Sequence, residues 1–236
     1  MTALALRSDA TTTGAERRDP RTWEAAVRRV VRADRVELVD GSTAQRHRLV
    51  AAGVRSGALQ AVAGSRLTRD SSSRPLGDLL VPEHRARWEA DAAAAPGAPR
   101  PGADDASVLA EVMARFSGAA RGRTLWVVPF ATPSGGGAGP ALGMLATDSP
   151  LAVLALQDRG EVGAAALART EAGEPWTALV HSVGLPLVDE HGHALRDDVA
   201  WPSGQRWRGE LRGGAEVWCC GSPAVVSGLA ARGTDR

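Results

Sequence analysis

Lysine, asparagine, isoleucine and tyrosine never occur in this chain of 236 residues. The codons of all these types begin with two A or T letters, so their joint absence reads as a GC-rich genome. The chemistry they take away matters more. Without lysine there is neither a phosphate-gripping Walker lysine nor a Schiff base, and without tyrosine no phenolic acid or base. Cysteine occurs only as the adjacent pair Cys219–Cys220, a spacing that suits neither a disulfide framework nor a zinc knuckle. No apolar run approaches the ~20 residues of a bilayer-spanning helix. Met1–Leu6 is too short, and its flanks too polar, to act as a secretory signal. A formal net charge of +1 gives no reason to expect nucleic acid or a membrane surface as partner. The expectation is a cytoplasmic protein.

What is present, 44% hydrophobic and 23% charged residues, is enough to bury one core. Residues 1–20 are polar and small, which predicts a disordered leader before a single domain over 21–236. Thr22 offers a cap for a helix in which Trp23, Val27, Val30 and Val31 recur at helical spacing, with arginines on the solvated face. Arg35–Val39 alternates as a strand and Asp40–Gly41 is a turn; Ser42 can cap a helix through Leu49 and Val50 to Gly53. Leu59–Ala63 is a short strand candidate and Ser65–Pro75 a loop. A low-complexity Ala/Pro/Gly insertion at about 92–103 is expected to be exposed and mobile from Pro96 onward. Asp104–Ser107 offers caps for a helix through Val108, Val112 and Phe116.

The remaining signals are mostly β. Thr124–Phe130, Ala141–Ala146, Leu151–Leu156, Ala178–His181, Arg206–Leu211 and Glu216–Cys220 read as strands, and Glu161–Arg169 as a small-residue helix. Strands and helices interleave without a strict alternation, so the fold class is α/β, a mixed β-sheet with helical layers.

Several constellations suggest chemistry and are better explained as structure. The loop Pro133–Pro140 (PSGGGAGP) has the glycines of a phosphate cradle but leads into a strand-like run, with no Lys-Ser/Thr after it. His191 and His193 stand near Asp189, Glu190, Asp197 and Asp198, yet no distant third ligand is fixed, so no metal site is assigned. His181, Ser182, Asp148 and Ser149 could compose a hydrolase triad, but neither serine has a G-x-S-x-G elbow around it. Capping and corner roles fit both serines better. Cys219 and Cys220 should point to opposite faces of a strand.

Five stretches, in order, carry a resemblance: DRVE with DGS at Asp34–Ser42, GRT-x-x-VVPF at Gly122–Phe130, TDSP at Thr147–Pro150, HSVG-x-PL at His181–Leu187, and WP with EVW-x-x-GS at Trp201–Ser222. Together they resemble the amino-terminal domain of GTP-dependent phosphoenolpyruvate carboxykinase over roughly Trp23 to Ser222. The resemblance implies that family's fold. It also implies the family's gluconeogenic reaction, decarboxylation of oxaloacetate with phosphoryl transfer from GTP, using manganese. From this domain the family draws a substrate-binding arginine, a Tyr-Gly-Gly-Asn run after Gly-Ser-Gly, and a lysine pair reaching the metal.

The chain departs from the family at those positions. The arginine position falls on Gly77, with Arg74 the nearest candidate, three residues away. Gly221 and Ser222 remain as a remnant of the substrate motif, but Pro223 stands for the third glycine and Ala224, Val225, Val226 and Ser227 for the Tyr-Gly-Gly-Asn run. The lysine positions fall on Arg232 and Gly233. The resemblance ends before the family's nucleotide-binding half. The expectation is therefore a chain that needs no cofactor of its own, has no catalytic or metal residues, and acts through a protein partner or second chain. Half of a split enzyme, or a small anion held in the vestigial cleft, is the alternative.

Overall fold

The computed structural model describes residues 18–55, 57–60, 74–93, 104–133, 141–184, 190, 191, 193 and 206–226. The proposed leader up to residue 17, the insertion over 94–103, the glycine loop over 134–140 and the chain after 226 lie outside the described residues. So do residues 61–63 of the strand candidate that begins at Leu59, and most of the 65–75 loop.

The first helix, α1 (Pro20–Val31), begins earlier than its Thr22 signal. Asp19 is the cap, its carboxylate accepting from the backbone N–H and the hydroxyl of Thr22 at 2.8 and 2.6 Å, and proline takes the first helical position. The same bonds hold the Asp19 carboxyl below the usual carboxylate range. Trp23, Val27, Val30 and Val31 are its buried face, as the spacing requires. It ends at Arg32, which takes the left-handed conformation (φ 55) that helix C-termini usually give to glycine.

After β1 (Arg35–Leu38), Asp40 and Gly41 turn the chain into α2 (Thr43–Arg55), whose entry Ser42 caps by accepting from Gln45 N–H at 3.1 Å. Leu59 forms only an isolated antiparallel bridge with Leu80. Two helices without a sequence reading follow, α3 (Leu76–Leu79) and α4 (Pro82–Ala93); α4 takes up the start of the stretch read as low-complexity. The helix α5 (Asp105–Phe116) is capped by Asp104 and buries Val108, Val112 and Phe116.

The sheet is seven-stranded, in the order β1-β2-β3-β5-β7-β6. Its strands are β2 (Thr124–Thr132), β3 (Ala141–Thr147), β5 (Thr177–Ser182), β6 (Trp207–Leu211) and β7 (Glu216–Cys220), with β4 (Glu161–Val162) pairing with β2 beyond the end of β1. β3, β5 and β7 run parallel, while β2 and β6 run antiparallel to their neighbours β3 and β7. The sheet is therefore mixed, as expected.

Leu151–Leu156 is not a strand. It is the interior of α6 (Pro150–Gln157), every one of these six residues buried. A helix covered on all sides loses its 3.6-residue period, so a short apolar run looks the same in either conformation. The deciding signals are Ser149, whose hydroxyl accepts from Ala152 N–H at 3.4 Å, and Pro150 at the first helical position. The Glu161–Arg169 reading also divides: Glu161 and Val162 are β4, and helix α7 (Ala164–Glu171) starts only after Gly163.

Alternation along the strands separates two cores. α2, α3 and α6 cover one face with Val128, Phe130, Leu145, Leu179, Val217 and Cys219. α1 and α5 cover the other with Leu125, Val127, Met144, Val180, Trp218 and Cys220, where Phe116 meets Trp218 edge-on at 5.0 Å. The adjacent cysteines do point to opposite faces, and burial pushes both thiols above the ordinary range. No helix among the described residues is long and apolar enough to cross a membrane.

Candidate functional site

Ligand sites in sheets of parallel strands form outside the carboxyl ends of the strands. Here β3, β5 and β7 end together, and the ends carry TDSP, HSVG and the GS of EVW-x-x-GS. These motifs, far apart in sequence, form one buried hydrogen-bonded knot.

His181 pairs with Thr147 across β5 and β3. Its Nε2 lies 3.2 Å from the Gly221 carbonyl, which only accepts, so Nε2 carries the proton. Its Nδ1 therefore accepts from the Thr147 hydroxyl at 2.8 Å, and that hydroxyl oxygen accepts from Ser149 N–H at 3.1 Å. Asp148 accepts from the Ser182 hydroxyl at 2.7 Å and from Val183 N–H at 2.9 Å, and the Ser182 oxygen accepts from Gly184 N–H. The Arg123 guanidinium stands 4.0 Å from the Asp148 carboxylate, with side chains 10% and 1% exposed. Asp34 adds the first motif by accepting from Gly122 N–H and donating its own N–H to the Arg123 carbonyl. Thr147, Asp148, Ser149, His181, Ser182 and Ser222 are all at most 4% exposed.

This arrangement is no hydrolase triad. Both His181 nitrogens are engaged, by Thr147 and by Gly221, while Ser182 bonds to Asp148 and Ser149 caps α6. The hydroxyl that does meet the histidine, Thr147, is 0% exposed and itself accepts from Ser149 N–H, so no substrate reaches it. The capping and corner roles read for the serines are the observed ones. Arg123 and Thr147 were within recognised motifs but carried no role; nothing in a linear pattern says which distant carboxylate or imidazole they meet.

Burial holds the His181 imidazole below its ordinary 6.5, against the opposing pull of Asp148 and the Gly221 carbonyl. The unfolded chain therefore takes up a proton that the folded chain resists. The stability from neutral His181 is complete above about pH 6.5 and is lost as pH falls below that value. The urea midpoint is expected to drop between about pH 7.5 and about pH 5.5, with a shallower drop in His181→Gln. Equal slopes in the two proteins would show that His181 is not the group responsible.

The remnant substrate motif is turned inward. Gly221 donates its N–H to the Ser182 carbonyl at 3.0 Å and its own carbonyl accepts from His181. The Ser222 hydroxyl accepts from Ala224 N–H at 3.3 Å. Ala224, Val225 and Val226 are 0%, 4% and 0% exposed, and both valines join the core that surrounds α6.

Arg74 is tied to α2 through its main chain. Its carbonyl accepts from Arg46 at 2.8 Å, and Arg46 also binds Asp158 at 2.7 Å and Gln157 at 3.1 Å, at the far end of α6. Gly221 is linked through His181 and Thr147 to Ser149, at the start of that helix. The two networks thus meet opposite ends of α6. Gly77 lies exposed in α3, with open space where a side chain would stand. Among the described residues no three His, Cys, Asp or Glu side chains gather as a ligand set. His191 and His193 are exposed, 6.1 Å apart between ring centroids.

Comparison with known proteins agrees with this geometry. The sequence profile of the phosphoenolpyruvate carboxykinase N-terminal domain matches residues 22–222. Phosphoenolpyruvate carboxykinase [GTP] from Renibacterium salmoninarum is 27% identical over 208 residues, covering 85% of this chain and 33% of the relative. The protein of that name from Paenarthrobacter aurescens aligns with the same identity and coverage. The one from Corynebacterium glutamicum is 33% identical over 113 residues, 48% of this chain and 18% of the relative. The chain thus spans a third or less of the length of these relatives.

Proposed function

The chain belongs to the phosphoenolpyruvate carboxykinase N-terminal domain family, and from that premise we propose that it is a carboxykinase-like domain with no catalytic activity of its own, acting in the cytoplasm by binding a protein partner. The observation that carries this reading is the burial of Ala224, Val225 and Val226 beyond Gly221 and Ser222. By resemblance, these positions correspond to a glycine-containing run where bare backbone approaches the substrate. Here they hold side chains, two of them β-branched and packed into the core. A substrate carboxylate needs donors already aimed at it, and the Gly221 and Ala224 amides are spent on internal bonds.

The test is a coupled assay of the chain alone with oxaloacetate, GTP and manganese, against a blank without protein. No phosphoenolpyruvate above the blank is expected. Product that rises with chain concentration would overturn the reading. Because the relatives are about three times as long, a second reading makes the chain one domain of a split enzyme. Such an enzyme would convert oxaloacetate and GTP to phosphoenolpyruvate, GDP and carbon dioxide with a nucleotide-binding second chain. Activity that appears only when such a chain is added would decide for it.

A further inference from the structure

The solvent face of α1 carries Arg28, Arg29 and Arg32 around a shallow cleft of about 500 Å³, completed by Glu24, Ala25 and Ala33. Basic residues in a last helical turn complement the helix dipole, which accounts for Arg28 and Arg29. Arg32, the C-cap, lies in the same field but at φ 55, where a side chain is strained and glycine is preferred. None of the three is ion-paired among the described residues, whereas Arg21 pairs with Glu171, Arg115 with Glu111 and Arg169 with Glu174. Even Glu24, one turn before Arg28, pairs with none of them.

We propose that this arginine face is the surface on which the chain takes an acidic, extended segment of a partner protein. The spacing argues for that occupant. Arg28 and Arg32 are one turn apart, about 6 Å along the axis, and alternate side chains on an extended strand are spaced by about 6.6 Å. Carboxylates at every second position of such a segment therefore meet successive guanidiniums, which bind carboxylates in a forked geometry. The cleft is open to water, so a lone small anion there is hydrated and screened, while a segment with several carboxylates adds its contacts together. A net charge of +1 makes nucleic acid the poorer fit. The proposal rests on the reading of the chain as a binding module and names its surface.

The experiment is fluorescence anisotropy of the full chain with a labelled octapeptide of alternating glutamate and serine. Saturable binding that weakens with added salt is expected, and none to the lysine–serine analogue. Charge reversal in Arg28→Glu/Arg29→Glu/Arg32→Glu is expected to weaken binding by about tenfold or more. Arg32→Gly is expected to weaken it about two- to fivefold while its melting temperature stays or rises, so the loss is not unfolding. Arg169→Glu, outside the cleft lining, is expected to bind as the parent does. No peptide binding, parental affinity in the cleft variants, or equal displacement by inorganic phosphate or oligo-thymidine would each overturn the proposal. These outcomes are separate from the coupled assay: turnover would remove the non-catalytic reading and leave the arginine surface standing.

Discussion

Asp148→Ala is expected to destabilise the fold by about 3–5 kcal/mol, the usual cost of removing one partner from a buried charged pair. Natural domains are stable by only about 5–15 kcal/mol, so the variant should lose a large share of its stability. The carboxylate organises three groups: the buried Ser182 hydroxyl and Val183 N–H, and the largely buried Arg123 guanidinium. Alanine leaves the buried amide without its acceptor and removes the carboxylate that faces Arg123. Asp148→Asn keeps one oxygen acceptor and should cost less. The double variant Asp148→Ala/Arg123→Ala should cost less than the sum of the two single variants, because the interaction between the two groups is then lost only once. Urea denaturation followed by circular dichroism reads all three proteins. A loss under about 1 kcal/mol for Asp148→Ala, the level of an exposed pair, would show that the knot is not what holds β3, β5 and the start of β2 together.

Gly163→Ala is expected to be nearly as damaging, at about 3 kcal/mol or more, through strain and backbone overlap together. Gly163 has φ 104, and an added Cβ would lie 2.2 Å from the Asp40 carbonyl oxygen and 2.4 Å from its carbon. The obstruction is main chain and cannot rotate aside. The contact is reciprocal, since a Cβ on Gly41 (φ 75) would lie 2.2 Å from the Val162 oxygen. The turn after β1 and the step from β4 to α7 are thus packed backbone against backbone, with Gly163 N–H donating to Pro129 of β2 at 2.9 Å. Gly57→Ala is the control. Gly57 has φ 73 but open space around its missing Cβ, so alanine there carries only the left-handed strain, about 1 kcal/mol. Equal thermal shifts in the two variants would sink the argument from close approach.

Much of this protein was legible in its sequence wherever a segment meets solvent on one side. α1 and α5 show an apolar stripe every third or fourth residue, and polar caps mark both starts. β2, β3, β5 and β7 are apolar runs stopped by polar, glycine or proline corners, and the face each side chain takes follows from alternation, down to the two cysteines. The family itself was legible, because Asp34, the GRT segment, TDSP, HSVG and the final GS are short local patterns in fixed order. Where burial is complete, the pattern vanishes. Leu151–Leu156 has no wet side, so its period carries no information and only Ser149 and Pro150 reveal the helix. The two-residue β4 exists only because β2 leaves an edge free beyond β1. The knot, too, belongs to the tertiary structure. That Thr147 meets His181 and that Asp148 meets Ser182 and Arg123 depend on strand order and register, because such partners lie tens of residues apart and nothing local in the chain encodes their distance.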